Sequence, residues 1–202
     1  MSALPQPEDD LDWLTSTLAS DASGGRGVFP GSIRPLAAGQ HIAGRVSTAT
    51  VSEDDNLFIR RATRLGPTDG RILVAGGAER SRSSCMGGLV AAALVQAGFV
   101  AMVTDGLVRD KLELAEMPLK VWCRGTTPRA GAKSGPGSNG TPTDCAGLTI
   151  SPGDFIVADE DGLVVWPAAE VAELLAAARE KSRRDEEASR RIASGAGLDG
   201  PV

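Results

Sequence analysis

The chain is poor in the residues that most often announce a site. Its 202 residues include no tyrosine, three tryptophans, four phenylalanines, one histidine and three cysteines. So few aromatics leave no platform for stacking bases, and a net charge of −5 provides no basic stripe for a phosphate backbone. Nucleic acid is therefore not an expected partner. The lone histidine, His41, argues against a Ser-His-Asp arrangement, and no G-x-S-x-G elbow occurs. It stands before an expected strand and reads as a turn or surface residue. Cys85, Cys123 and Cys145 are odd in number and widely spaced, which fits neither a disulfide framework nor a zinc pattern. No apolar run approaches the ~20 residues that span a bilayer. The start, "MSALPQPEDDLDWL", lacks the basic and apolar regions of a signal peptide. The expected location is the cytoplasm, with no membrane partner.

What is present reads as one α/β domain over residues 11–193, with a loose acidic arm at 1–10 and a loose tail at 194–202. "LDWLTSTLASDAS" is expected to form a short helix with Asp12 near its start. "VFPGSIRPLAAGQHIAG" reads as irregular chain and "GRVSTATV" as a strand. "EDDNLFIRRATRLG" has helical spacing and is stopped by Gly66-Pro67. "RILVAGG", "SSCMGGLVAAALVQAG" and "FVAMV" then read strand, helix, strand, which implies a parallel βαβ unit. Four short strands follow, in "LKVWCRG", "GLTI", "DFIVAD" and "GLVVWP". Between Gly125 and Gly140 lies a long loop carrying Arg129 and Lys133, and loops of that length are usually functional or mobile. A charged helix from Ala168 to about Ile192 closes the domain, with Glu180–Arg184 and Lys181–Asp185 pairs spaced to meet.

Nucleotide motifs fail on inspection. "VAGGAERS" lacks the G-x-G-x-x-G order, and no G-x-x-x-x-G-K-[ST] occurs. The remaining chemistry is in "TDGLVRDKLE", where Asp105, Arg109, Asp110 and Glu113 follow a core strand. In open α/β folds, ligands gather beyond the carboxyl ends of the strands. Arg109 suits a planar carboxylate or a keto oxygen. Asp110 and Glu113 offer the hard oxygen donors that Mg²⁺ or Mn²⁺ takes in small number. The Gly87–Gly88 pair exposes backbone N–H groups at a helix start, where an anion can sit. Together these would suit a 2-oxo acid. The plainer reading is an Asp near a helix start with solvent-facing charges beyond it.

At these residues the sequence resembles the RraA-like family, which includes 4-hydroxy-4-methyl-2-oxoglutarate/4-carboxy-4-hydroxy-2-oxoadipate aldolases and the regulator of RNase E activity. The resemblance rests on "SEDDNLFI", "GGLVAAALVQAGFVAMVTDGLVRD", "LKVWCRGTTPRAG" and "GLTISPGDFIVADEDGLVVWP". It spans roughly residues 27 to 167. Active lyases of the family carry an acid or a glycine, twenty residues, then Arg-Asp, with a further acid after two residues in the glycine form. Gly88, Arg109, Asp110 and Glu113 fit that glycine form.

The resemblance implies a swivelling β/β/α fold with a C-terminal helix, assembled as homotrimers or homohexamers with sites near subunit boundaries. It implies a class II pyruvate lyase requiring Mg²⁺ or Mn²⁺, acting as aldolase, oxaloacetate decarboxylase or both. Arg109 would bind the pyruvyl keto oxygen and carboxylate, and Asp110 would hold the metal. The amides of Leu89 and Val90, beside Gly87 and Gly88, would cradle the substrate carboxylate. Glu113 would support the metal's water shell. Asn56 and Asp105 lie in matching blocks without a defined role. An aldol cleavage needs a base for the C4 hydroxyl, whereas decarboxylation does not. Glycine at 88, where the best-studied aldolases have aspartate, therefore bears mainly on the aldolase activity. The alternative is a non-catalytic, protein-binding regulator like the RNase E inhibitor. Methyl transfer ranks last, because no glycine-rich nucleotide loop is present.

Overall fold

The computed structural model describes residues 11–195 and 197. The expected arm at 1–10 lies outside the described residues, as does the expected tail apart from Ser194, Gly195 and Gly197. The chain opens with α1 (Ser16–Ala22), β1 (Arg34–Pro35), β2 (Ile42–Thr50) and α2 (Leu57–Leu65). Then come β3 (Ile72–Gly76), β4 (Ser84–Met86), α3 (Gly88–Ala97), β5 (Ala101–Thr104), β6 (Leu107–Val108) and α4 (Lys111–Glu116). The second half is mostly strand: β7 (Lys120–Cys123), β8 (Gly125–Thr126), β9 (Ser138–Asn139), β10 (Thr143–Cys145) and β11 (Leu148–Ile150). A hairpin of β12 (Phe155–Ala158) and β13 (Leu163–Trp166) leads into α5 (Val171–Ala193).

The main sheet runs β1-β7-β5-β3-β2-β12-β13, with β9 also paired to β2. Its centre is parallel, as the strand–helix–strand reading requires: β3 pairs β2 and β5, and β5 pairs β7. β2 changes partner type along its length, meeting β12 antiparallel over Ile42–Arg45 and β3 parallel from Val46 onward. The strands are buried on both faces, so alternation sorts residues between two cores rather than between core and water. Leu73, Ala75, Met102 and Val121 join one core with Ile59 of α2 and Ala91 and Leu94 of α3. Ile72, Val74, Ala101, Val103 and Trp122 join the other, under the β10–β11 hairpin. A third core packs α1 and α5 on β12–β13, through Leu14, Val171, Leu174, Ala178 and the stacked Phe155–Trp166 pair. Burying one such leucine contributes about 1.5–3 kcal/mol. No helix among the described residues is long and apolar enough to cross a membrane.

Three elements differ from the sequence reading. The first helix begins at Ser16, not near Asp12. Thr15 caps it, its Oγ1 accepting from Leu18 N–H at 3.2 Å, and Asp159 accepts from both Ser16 N–H and Ser16 Oγ. Ser84, Cys85 and Met86, expected inside the helix that follows them, form β4 instead and pair parallel with β6. The long loop contains β8 and β9 and is tied down by Asp55. That carboxylate accepts from Ser134 and Gly135 N–H at 2.8 Å each and from Leu57 N–H at the start of α2. Burial alone would raise the Asp55 carboxyl, but these three donors together hold it below the usual range.

A second buried carboxylate closes the sheet end nearest β6. Asp105 accepts from Ala78, Gly77 and Ala146 N–H, at 2.9, 3.2 and 3.3 Å. It thereby joins the turns after β3 and β5 to the β10–β11 hairpin. Burial pushes its carboxyl up from the ordinary value, against the pull of those donors. Asp105→Ala leaves three N–H groups without an acceptor and is expected to cost about 2–4 kcal/mol in urea unfolding. A raised carboxyl favours folding below its unfolded value, and that contribution is lost as pH rises through the folded value. The stability of the wild-type protein relative to Asp105→Asn should therefore fall as pH climbs from about 4. A difference that stayed flat with pH would contradict the raised value.

Candidate active site

The Arg109–Asp110 pair is not carried directly on the core strand β5. After Gly106 the chain runs on into β6, which forms a small parallel sheet with β4 and β8. Ser84 pairs with Leu107 and Met86 with Val108, across an irregularity in β4. Arg109 N–H then donates to Met86 carbonyl at 2.9 Å. The result is direct: Gly87–Gly88 at the start of α3 lies against Arg109–Asp110 at the start of α4.

Both glycines leave room for that approach. A methyl group on Gly87 would stand 2.5 Å from Asp110 Oδ2 and 2.8 Å from Arg109 Nε. One on Gly88 would fall inside the Glu113 carboxylate. Glu113, one helical turn beyond Asp110 on the same face of α4, thus fills the space in which a side chain at position 88 would begin.

Asp110 has φ +61° and ψ +42°, a left-handed conformation that non-glycine residues adopt at a cost. It occupies the N-cap position of α4, yet its side chain makes no cap hydrogen bond. Instead Oδ2 accepts from Gly88 N–H at 3.0 Å and lies 3.6 Å from Arg109 Nε. A capping aspartate turned away from its own helix is strain without local return, which points to function. Arg109 and Asp110 side chains are each 41% exposed, so both reach solvent.

The amides at the start of α3 differ in their partners. Val90 N–H is directed at Gly87 carbonyl, 3.0 Å away, and Gly88 N–H serves Asp110. Leu89 N–H, at the first turn of α3, has no acceptor among the described residues. Asn56 precedes α2 as its N-cap, buried, with Oδ1 unpartnered. Asp105 is occupied by backbone donors and belongs to the scaffold. Arg129 and Lys133 are exposed, and the Arg129 carbonyl accepts from Ser84 N–H at 2.8 Å. The loop therefore lines up beside β4 through its backbone. Asp54 and Asp55, which the sequence reading passed over, organise this region. Asp54 Oδ1 accepts from Arg82 and Ser83 N–H, its carbonyl accepts from Ala132 N–H, and adjacent acids before a helix were the available signal.

The donor set would suit a hard dication held mainly by water. Two carboxylates, Asp110 and Glu113, converge on the glycine pair, whereas no group of three or more His, Cys, Asp or Glu side chains occurs among the described residues. Mg²⁺ and Mn²⁺ accept so sparse a set because water completes their shell, while a structural zinc would not. The three thiols offer nothing here. Burial pushes Cys85 up to about 12 and raises Cys123 and Cys145 as well. Gly88→Ala should preserve the fold, with stability changed by less than about 1 kcal/mol, because Glu113 is a flexible side chain that can turn aside. A crystal structure of the variant would then find the Glu113 carboxylate rotated away from α3. An unmoved carboxylate would contradict the close approach.

The chain as a whole is similar to known proteins. A family model described as RraA-like (Aldolase/RraA) matches residues 15–165. A 4-hydroxy-4-methyl-2-oxoglutarate aldolase of Thermus thermophilus is 36% identical over 125 residues, 62% of this chain and 75% of its own. A protein of Halalkalibacterium halodurans, provisionally named for the same aldolase, is 30% identical over 189 residues, 91% of this chain and 90% of its own. The solved structure of the RNA-processing inhibitor RraA from Thermus thermophilus superposes with a TM-score of 0.67 at 31% identity, covering 75% of this chain and 92% of that one. With the swivelling β/β/α architecture and three-quarters of its length matched, the chain belongs to the RraA-like family.

Proposed function

We propose that the protein is a divalent-metal-dependent class II pyruvate lyase of the cytoplasm. It would cleave 4-hydroxy-4-methyl-2-oxoglutarate, decarboxylate oxaloacetate, or do both. The carrying observation is the convergence of Arg109, Asp110 and the Glu113 carboxylate on Gly87–Gly88. The names of the two aldolase relatives support the same reading.

Arg109 binds the substrate carboxylate and keto oxygen and opposes the charge that builds on that oxygen as the enolate forms. Leu89 N–H meets the carboxylate at the helix start. Asp110 and Glu113 would hold Mg²⁺ or Mn²⁺, which when bound supplies Lewis-acid stabilisation of developing negative charge. In oxaloacetate the bond to the C4 carboxylate breaks, CO₂ leaves, and its electrons pass into the keto group. The enolate is then protonated at C3 to give pyruvate. In the aldol substrate the C4 hydroxyl proton must also leave while the C3–C4 bond breaks. Glu113, in the space a residue at 88 would occupy, is the carboxylate placed to take it. Glycine at 88 is thus compatible with aldol cleavage. Leu89 and Leu112, 87% and 83% exposed on the first turns of the two site helices, support assembly as a homotrimer or homohexamer with copies meeting beside the site.

A second reading, a protein-binding regulator without catalysis, is supported by the likeness to the RNA-processing inhibitor. The intact Arg109–Asp110–Glu113 set weighs against it.

The deciding assay is oxaloacetate decarboxylation with Mg²⁺ and with EDTA, beside Arg109→Ala and Asp110→Ala. Wild-type turnover should require metal, and each substitution should lower it at least about 100-fold with the fold retained by circular dichroism. Wild-type rates no greater than those of the variants, on oxaloacetate and on the aldol substrate, would reject the lyase. Capture of RNase E by both wild type and Asp110→Ala would then favour the regulator.

A further inference from the structure

One face of α2 presents cations that no acid meets. Leu57, Arg60, Arg61 and Arg64 recur at i, i+3, i+4 and i+7 and so form a single stripe. With Leu89, Val90 and Ala93 of α3 they wall a groove of about 390 Å³. All three arginines are exposed, and none takes part in an ion pair among the described residues. The Arg61 guanidinium lies over the Phe58 ring, 4.5 Å from its centroid. Arg60 and Arg64 stand one turn apart with no such contact. Like charges at that spacing destabilise an exposed helix by a few tenths of a kcal/mol. The fold gains nothing visible in return.

The groove adjoins the candidate site at Leu89. Its α3 wall begins at Leu89, immediately after the Gly88 that meets both Asp110 and Glu113. Leu89 therefore belongs to both, offering its free N–H on one side and its exposed side chain on the other. The lining is mixed, with leucine, valine and alanine against a short chain and guanidinium groups for an anion at its end. A volume of this order holds a substituent of several heavy atoms, more than a bare carboxylate requires.

We propose that this α2–α3 groove receives the part of the substrate beyond the pyruvyl unit, with Arg60 and Arg64 as the specificity-determining residues that read a distal carboxylate. The proposal rests on the reading that Arg109 holds the pyruvyl end. It assigns discrimination to α2 rather than to Arg129 and Lys133 of the long loop. The favoured ligands are 2-oxo acids with a second carboxylate on a short chain, since guanidinium pairs bind carboxylates in a fixed, planar geometry.

The test is calorimetric binding, with Mg²⁺ present, of 2-oxoglutarate and of 2-oxopentanoate, which lacks the distal carboxylate. Wild type should prefer 2-oxoglutarate by about tenfold or more. The double variant Arg60→Gln/Arg64→Gln should bring the two ligands to within about twofold while 2-oxopentanoate affinity stays unchanged. Arg60→Lys/Arg64→Lys, which keeps the charge, should retain part of the preference and shows that any loss is not misfolding. A preference that survives in the Gln variant, or none in wild type, overturns the proposal. The pyruvyl reading is judged separately, by whether Arg109→Ala abolishes 2-oxopentanoate binding. If wild type binds neither ligand, both fall together.

Discussion

The parallel contact between β4 and β6 is the constraint from which the candidate site follows. It is only a few residues long and includes an irregularity, yet it carries the Arg109 N–H to Met86 carbonyl bond that sets two helix starts side by side. Each start presents what the other lacks. The start of α3 contributes backbone N–H groups and a glycine pair without side-chain bulk, while the start of α4 contributes an arginine and two carboxylates. A slip of one residue in β6 would turn Arg109 to the opposite face and remove the acceptor that Gly88 N–H now finds in Asp110.

Two aspartates away from the chemistry keep that contact in place. Asp105 gathers three backbone donors from two turns, and Asp55 gathers three more from α2 and the long loop. Both solve the same problem. Loops that run close to a site carry N–H groups that neither helix nor sheet satisfies, and a carboxylate with several lone pairs can serve them together. The balance between burial and these donors differs at the two positions. Burial prevails at Asp105, and the donors prevail at Asp55.

The space over Gly88 can be filled from two places in the chain. An acid carried at position 88 would project from α3 toward α4. Here α3 carries no side chain, and Glu113 of α4 projects back into the same volume. A side chain at 88 and the Glu113 carboxylate as placed here would compete for that volume. Gly87 has a different role. It admits the Arg109 and Asp110 side chains themselves in either case.

Much of this was legible in the residues. Unbroken apolar runs fixed the buried parallel strands, Gly98 ended α3 in a left-handed turn, and the spacing of Asp110 and Glu113 put both carboxylates on one helix face. Those features depend on near neighbours, and local chain geometry is what a sequence encodes directly. The rest depended on distant partners. Ser84–Met86 is too short to show alternation and is a strand only because β6 and Ala130 lie beside it. α1 starts at Ser16 because Asp159, far along the chain, supplies acceptors there. The occupation of the space over Gly88 by Glu113, and the meeting of an arginine stripe on α2 with the apolar side of α3, were likewise decided by packing. Sequence determined which groups could do the chemistry, and only tertiary structure brought them within reach of one another.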